Sequence, residues 1–472
     1  MSKRDKKEIV IIGAGPGGYA AAFRAADLGR SVTLIGPEAD PGGTCLFYGC
    51  IPVKTLLETL QIKEKTAKSE TMGLRFEAPG TNLKKIAAWK DKVVKELTEG
   101  IGLLSEEREI EYIQGKASFL SANEIEIETG EGKKQVYEFE NAIIATGAVP
   151  RKHPNAKLDH EKILDSTDAL ALDGIPERML IIGGGYIGPE VGSIYATLGS
   201  RVSIVESDSR VLSWVDQDLV KEFEKGNEGL FDEYFFKTEV DSVAVKDQKV
   251  TVEMKNQEGQ WKKEYDLVLV AVGRIPNTTN LNLEKAGVEI DDEGFIKTDG
   301  KQKTIRKNIY AIGDVTRQPL FANKAAHEGR LVAEEIAGED TGRYNPKAIP
   351  SVVATTRTEM AWCGLMETEA EEKGIAVKVT RYPWTASGRA ASIGITNGLT
   401  KLIFDAGNGK ILGGGVVGKT TGSLISEIAL AIEMGATAGE IALSIHPHPT
   451  LSETIMEAAE LFSGRATHFK GK

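Results

Sequence analysis

Cysteine is scarce. The chain has three, Cys45, Cys50 and Cys363, too few to staple a secreted domain, and Cys363 has no neighbour in sequence to pair with. Metal-ligand spacings are missing as well, so no metal is expected. Also missing is an unbroken apolar run long enough to cross a bilayer, which argues against a membrane span. The stretch Ser2-Lys3-Arg4-Asp5-Lys6-Lys7 is charged and leads straight into Glu8-Ile9-Val10-Ile11-Ile12. It has neither the apolar segment nor the cleavage site of a signal peptide, and the expectation is a cytoplasmic protein. Nor is there an excess of positive charge. With 58 basic against 69 acidic side chains and a formal net charge of -11, nucleic acid and anionic membranes are poor partners, and a neutral or basic protein surface suits the chain better.

At 472 residues the chain exceeds what one hydrophobic core supports, and its length suggests roughly three or four domains. Residues 10–36, VIIGAGPGGYAAAFRAADLGRSVTLIG, align without a gap on residues 180–206, LIIGGGYIGPEVGSIYATLGSRVSIVE. Each copy reads as an apolar strand, a glycine-rich turn, a helix and a second strand. The turns are Gly13-x-Gly15-x-x-Gly18 and Gly183-x-Gly185-x-x-Gly188, and the helices end near Leu28-Gly29 and Leu198-Gly199. In this context the glycines permit a tight turn, close approach of backbone to a pyrophosphate, and tight helix–strand packing, with the helix N-terminus facing the phosphates. A single such motif is weak; two in register are specific. Two dinucleotide-binding folds are therefore expected.

The residue closing each copy differs. Glu206 ends the second, where an acid accepts hydrogen bonds from ribose hydroxyls and repels a 2′-phosphate, which selects NAD there. The plainer reading is a solvated glutamate at a strand end. In the first copy Gly36 holds that position, and Glu38 is the candidate acid two residues later. Further along, Ala142-Ile143-Ile144-Ala145-Thr146-Gly147 reads as a buried strand entering a glycine turn, and 270–277 as its counterpart in the second unit. Ile309-Tyr310-Ala311-Ile312-Gly313-Asp314-Val315 delivers an aspartate at a strand end. Beyond residue 347, strands such as 399–404 precede a helix over 423–434. The expected fold class is α/β, with two Rossmann-like domains (1–148 and 149–276), a central domain (277–346) and a C-terminal α+β domain (347–472).

Cys45 and Cys50 stand in Gly42-Gly43-Thr44-Cys45-Leu46-Phe47-Tyr48-Gly49-Cys50-Ile51-Pro52-Val53-Lys54. Five residues of extended chain would part their Cα atoms by roughly 16 Å, whereas a disulfide needs roughly 4.4–6.8 Å, so the segment must be coiled. Gly49 supplies backbone freedom and Pro52 suits the first turn of a helix. Cys50 then sits at a helix N-terminus, which favours a thiolate. Beside a nucleotide fold the pair reads as a redox centre; without those flanks it would read equally well as two small buried hydrophobes.

Near the C-terminus, His446-Pro447-His448-Pro449-Thr450-Leu451-Ser452-Glu453 holds two of the six histidines. A histidine five residues ahead of a glutamate, with a helix starting between them, suits an imidazole oriented by a carboxylate, an acid–base pair in outline. A capping box, with Thr450 as cap and Glu453 three residues on, fits equally.

In this order, the first fingerprint, GGTCLFYGCIPVK, the second fingerprint, AVGRIPN, IYAIGDV and HPHPTLSE resemble the pyridine nucleotide–disulfide oxidoreductases over essentially the whole chain. Within that family they resemble the branch that oxidises dihydrolipoamide. The resemblance implies a homodimer with FAD, NAD, central and interface domains, serving the lipoyl domains of 2-oxo acid dehydrogenase complexes. It implies Cys45 as the thiol that exchanges with substrate and Cys50 as the sulfur against the flavin. His448, contributed by the partner subunit, would act as base, oriented by Glu453. Gly13, Gly15, Gly18, Glu38, Ala117, Gly147, Asp314 and Ala322 would serve FAD, with Lys54 and Glu190 as an ion pair near the flavin. Gly183, Gly185, Ile187, Gly188, Glu206, Val240, Ala271, Gly273 and Arg274 would serve NAD. Several positions depart from the family pattern: Gly36 replaces an acid, Phe47-Tyr48 replace Asn-Val, Asn323 replaces a histidine, and Thr355 and Thr358 replace an aromatic residue and a proline. Two other readings remain: a reductase of another disulfide such as glutathione, and a binding module that holds NAD(H) without flavin chemistry.

Overall fold

Ile9, Val10, Ile11 and Ile12 form a continuous apolar run, and all four are buried. Alternation along the strand Asp5–Ile12 sends Ile9 and Ile11 into one cluster with Ala21, Ala22 and Ala25 of the helix Pro16–Asp27. Val10 and Ile12 enter a second cluster with Phe119, Ile125 and Phe139. A strand covered on both faces is what a parallel sheet requires, and it explains why its sequence is uniformly apolar. In the computed structural model, which describes residues 5–77, 79–130, 132–339, 344–395 and 397–471, this strand lies inside a six-stranded sheet.

Asp5–Ile12 pairs in parallel with Val32–Gly36 on one side and Lys134–Ile144 on the other. The first half of Glu111–Ser121 pairs in parallel with Val32–Gly36, and its second half turns back through Glu124–Thr129 in an antiparallel meander. Ile309–Ala311 completes the sheet beside Lys134–Ile144, so the 277–346 segment supplies a strand to the first nucleotide fold. The chain sorts into two compact units. This one comprises Met1–Leu56, Asn82–Arg151 and Gly273–Asn345. Across its sheet, Pro16–Asp27 packs on the helix Ala322–Ala337 at glycines: a Cβ on Gly329 would lie 2.4 Å from the carbonyl oxygen of Gly17. Ala148–Pro150 and Arg274–Pro276, the strands flanking the second repeat, pair antiparallel within the same unit.

The second unit comprises Leu57–Thr81, Lys152–Val272 and Pro346–Lys472. Its Rossmann-like sheet is wholly parallel, in the order Glu233–Phe235, Arg201–Val205, Arg178–Ile182, Leu267–Val270, Ile163–Leu164. A three-stranded antiparallel sheet over Glu239–Lys246, Lys249–Asn256 and Gly259–Tyr265 accompanies it. The C-terminal sheet is antiparallel, in the order Ser351–Ala354, Glu359–Gly364, Ile411–Gly418, Leu399–Asp405, Val377–Pro383. Ile425, Ile428 and Ile432 of the helix Thr421–Met434 cover one face of it. Leu219 and Phe223 of Gln217–Gly226 cover the other. Lys401, 1% exposed, extends its Nζ to Asp216 at 2.8 Å, Asp218 at 2.9 Å and Glu367 at 2.6 Å. One ammonium thus bridges three carboxylates, two of them shared with Arg381, and ties that helix to the sheet. Thr355 and Thr358, two of the departures noted above, are buried and share hydrogen bonds with each other and with Asn227. Polar packing replaces the aromatic–proline packing expected there. No described helix is long and apolar enough to cross a membrane.

Candidate active site

The two fingerprints fold alike. Gly13 and Gly183 lie at φ +109° and +110°, and a Cβ on either would sit 2.3 or 2.5 Å from the carbonyl oxygen of Ala145 or Ala271. Gly18 and Gly188 press as closely on Gly13 and Gly183, their added Cβ atoms falling 1.8 and 2.2 Å from a carbonyl oxygen. The outer glycines are therefore required by the chain's own packing. The middle ones are not: a Cβ on Gly15 would meet only Gly43 Cα at 3.8 Å, and on Gly185 only Trp214 at 3.6 Å. The space left there is what close approach of a pyrophosphate to the backbone requires.

Glu206 is oriented beside the second loop. Its Oε2 accepts the Gly184 N–H at 2.6 Å, and its Oε1 accepts the Ser207 hydroxyl at 3.0 Å and the Asp208 N–H at 2.9 Å. A carboxylate offers about four acceptor directions, so one remains for a ribose hydroxyl. Ile187 opens the helix Ile187–Leu198, and Glu190 in its first turn accepts the Ala354 N–H at 2.9 Å. Val240 is buried in the core, and its carbonyl takes the Asn155 amide at 3.1 Å. Ala271 backs Gly183, and Gly273 turns at φ +98°. Arg274 lies in the first unit, where its guanidinium donates to the Ala148 carbonyl and its charge acts on Asp314.

In the first unit the closing position is shaped around Gly36. A Cβ there would lie 2.5 Å from the Tyr112 hydroxyl and 2.8 Å from Ala14, so Tyr112 fills the space an acid would need. Tyr112 instead donates to the Glu38 carbonyl at 2.8 Å, while the Glu38 carboxylate accepts the Tyr48 hydroxyl at 2.5 Å. Ala117 lies in the sheet opposite Ile127, and Gly147 turns at φ +70° with open space beside it.

The cysteine segment rests on the first fingerprint. Gly42 N–H donates to the Ala14 carbonyl at 2.8 Å, and Gly43, at φ +61°, passes so near Gly15 that a Cβ would fall 2.4 Å from its Cα. The coil required by the spacing is two helices, Gly43–Tyr48 and Cys50–Lys68, joined at Gly49. Cys50 is the first residue of the second, on which Lys54 also stands. Both sulfurs are free thiols in hydrogen-bond contact, Cys50 exposed and Cys45 half-buried. The hydrogen bond to Cys50, then burial and the charge of Cys50, push the Cys45 thiol strongly up. Cys50 takes the helix N-terminus. Tyr19, on the first fingerprint's helix, is close enough for both sulfurs to raise its hydroxyl, burial being the larger cause.

Asp314 follows the strand Ile309–Ala311, and burial raises its carboxyl despite the opposing charges of Lys324 and Arg274. Its loop is held from below by an ion pair with no exposed surface, Lys324–Glu328 at 3.3 Å. Lys324 Nζ donates to the carbonyls of Gly313 and Arg317, both at 3.1 Å, and Glu328 Oε2 accepts the Gly313 N–H at 2.7 Å. Ala322 opens the helix that carries this pair.

In the second unit His448 Nδ1 lies 2.8 Å from Glu453 Oε1, and Glu453 Oε2 accepts the Thr450 N–H at 2.8 Å. Although burial raises the Glu453 carboxyl, the Thr450 N–H and His448 together hold it below its usual range. The orienting reading and one half of the capping box hold together. The reciprocal half does not form, because the Thr450 hydroxyl bonds to Pro447 and Ser452 and the helix starts at Glu453. With Nδ1 committed to the carboxylate, Nε2 is the nitrogen left for proton transfer, and the His448 side chain is 74% exposed.

A half-buried thiol in contact with a helix-start cysteine, packed on one of two dinucleotide fingerprints, is the arrangement a redox centre requires. The family model described as pyridine nucleotide-disulphide oxidoreductase matches residues 7–329, and that of its dimerisation domain matches residues 349–459. The chain belongs to this family. It is 43% identical over 473 residues to dihydrolipoyl dehydrogenase of Vibrio parahaemolyticus, covering 100% of this chain and 99% of that protein. It is 40% identical over 469 residues to that of Bacillus subtilis, covering 98% and 97%. The solved structure of LpdA from Mycobacterium tuberculosis is similar at TM-score 0.90 and 27% identity, covering 97% of this chain and 99% of that one. The HOCl-induced flavoprotein disulfide reductase RclA from Escherichia coli is similar at TM-score 0.86 and 28% identity, covering 97% and 99%.

As a pyridine nucleotide–disulphide oxidoreductase the chain uses FAD and NAD, and the Cys45–Cys50 pair fits the family's redox-active disulfide. Its C-terminal segment is the dimerisation domain, which supports a homodimer. That segment exposes Leu430, Met434, Leu443 and Ile445 near the His446–His448 loop. Sequence reasoning did not single out Tyr19, Tyr112, Trp214, Lys324 or Glu328. The Lys324–Glu328 pair left a faint trace, opposite charges four apart on one helix. Tyr112 left none.

Proposed function

We propose that this chain oxidises dihydrolipoamide on the lipoyl domains of 2-oxo acid dehydrogenase complexes, in the cytoplasm, with NAD as final acceptor. The Cys45–Cys50 contact carries the reading: it is a close cysteine pair of the kind a redox-active disulfide requires. FAD binds to 1–148 completed by 277–346, with Asp314, Ala322, Gly15 and Glu38 among its contacts, and Ala117, Gly147 and Lys54 as further ones. NAD binds to 149–276 through Gly185, Glu206 and the N-terminus at Ile187, with Val240 and Ala271 as further residues of that domain. Residues 347–472 form the interface domain.

In the forward direction one substrate thiolate attacks Cys45 of the disulfide, forming a mixed disulfide and releasing Cys50 as a thiolate. The second substrate sulfur then displaces Cys45, and lipoamide leaves. Nε2 of His448 of the partner subunit takes the substrate proton, and Glu453 stabilises the imidazolium so formed. The substrate loses two electrons and two protons: the cysteine pair gains the electrons, the imidazole takes one proton and the released Cys45 sulfur takes the other. FAD, held by the residues named above, would supply two-electron transfer between that dithiol and NAD. After the Cys50 hydrogen bond, burial and the charge of Asp314 help raise the Cys45 thiol.

Turnover measured with lipoamide and with glutathione disulfide, each with NADH and NADPH, tests the reading. Lipoamide with NADH should exceed the other combinations by more than about tenfold, because a half-buried carboxylate such as Glu206 disfavours a 2′-phosphate. A preference for glutathione disulfide or NADPH would replace this reading with the other disulfide reductase.

A further inference from the structure

Trp214 stands out at the second fingerprint because its surroundings are buried and it is not. Val211, Leu212 and Val215 on the same turn are at most 2% exposed, whereas Trp214 is 51% exposed. The turn is fastened to the nucleotide loop: Leu212 N–H donates to the Gly184 carbonyl at 2.9 Å. Arg210 donates to the carbonyls of Ser213 at 2.6 Å and Val215 at 3.1 Å, and the Ser213 hydroxyl donates to Asp208. The indole is fixed as well. Its ring centroid lies 5.5 Å from that of Tyr186, whose hydroxyl oxygen accepts from Trp214 and Ser351. Tyr186 in turn stacks on the buried Trp362 at 5.7 Å and 7°. An aromatic ladder thus runs from the C-terminal sheet to the one fingerprint glycine that the chain's own packing leaves open, with the Trp214 ring edge 3.6 Å from where a Gly185 Cβ would be.

We propose that Trp214 is a positioning residue for NAD, covering the stretch of the dinucleotide that crosses Gly185. A rigid apolar ring over a row of backbone N–H groups keeps water from competing for the phosphate oxygens and adds aromatic contact at little entropic cost. The proposal rests on assigning the second fingerprint to NAD. Glu206 meets the same loop at Gly184, so acid and indole both border the stretch assigned to the nucleotide.

The test uses FAD-loaded wild-type, W214A and W214F proteins. NAD affinity is measured by equilibrium dialysis, NADH binding by quenching of tryptophan emission, and the dithiol half-reaction by anaerobic reduction with dihydrolipoamide. W214A should weaken NAD binding and raise its KM by roughly 2–10-fold, the range an aromatic contact supplies. The dithiol half-reaction should be unchanged, and W214F should recover most of the affinity while losing most of the quench. W214A that binds NAD as wild type does, or W214F that keeps the full quench, would overturn the role of Trp214. Wild-type protein that binds neither NAD nor NADH would overturn the NAD assignment and the proposal with it.

Discussion

Replacing Glu328 by Gln removes one charge from an ion pair that has no exposed surface. The Gln carbonyl can still accept the Gly313 N–H, but its NH2 then faces the Lys324 ammonium, and a buried cation loses its counter-charge. Breaking a buried pair in this way typically costs about 3–5 kcal/mol. Lys324 keeps the carbonyls of Gly313 and Arg317 at 3.1 Å, so the lower end, about 3 kcal/mol, is expected. Amide hydrogen exchange across Ala322–Ala337 reads this locally, and about 3 kcal/mol corresponds to roughly a hundredfold faster exchange. Because the pair holds the Gly313–Asp314 backbone, FAD retention on gel filtration should fall in parallel. The double variant K324M/E328Q carries no unpaired charge, and the Thr316 hydroxyl still serves the Gly313 carbonyl at 2.8 Å. It should exchange more slowly than E328Q. Exchange within about threefold of wild type in E328Q, or a double variant as fast as E328Q, would refute the claim that this pair supports the Asp314 loop.

The two kinds of fingerprint glycine should separate by experiment. G188A should lower the melting temperature and yield, because its Cβ would fall 2.2 Å from a carbonyl oxygen, whereas G185A should fold normally and lose NAD affinity; equal stability of the two variants would contradict the assignment. Restoring an acid by G36E should reduce FAD retention, since its Cβ would meet the Tyr112 hydroxyl at 2.5 Å, and G36E/Y112A should relieve the defect; a G36E protein that holds FAD more tightly than wild type would show that Tyr112 yields. His468 is raised above its ordinary value of 6.5 by the hydrogen bond and charge of Glu457. Its tie to that helix is therefore complete below about pH 6.5 and lost as pH rises through the higher folded value. Limited proteolysis of the C-terminal segment should accelerate from about pH 6 to about pH 9 more than in H468Q; the same acceleration in both would dismiss the pair.

What the sequence revealed depended on the range of the interactions that decide it. Fingerprints, the strand ending at Asp314, and the helix beginning at Cys50 are set by residues within a few positions of one another, and periodicity and glycine placement report them directly. The expected helix over 423–434 differs only at its start, Thr421. The way Gly36 is accommodated was not legible, because it depends on Tyr112 and Glu38 meeting across 74 residues of sequence. The same holds for Trp214, whose neighbours are Tyr186 and Trp362 from different elements. Thr355 and Thr358 read as departures from an aromatic–proline pattern, yet the Thr355 hydroxyl links Asn227 to the Thr358 backbone, and the Thr358 hydroxyl donates to the Gly418 carbonyl. Such compensation requires a partner more than a hundred residues away, and no local pattern records it.

The central claim is that electrons pass from a dithiol through Cys45 and Cys50 to bound flavin and on to NAD. An anaerobic visible-spectrum titration of the FAD-loaded protein with dihydrolipoamide, followed by addition of NAD, tests it most directly. The account predicts bleaching of the oxidised flavin band with growth of a long-wavelength band, both reversed as NADH appears, and none of this in C45S. Flavin that stays oxidised under dihydrolipoamide, or that is reduced equally well in C45S, would contradict it.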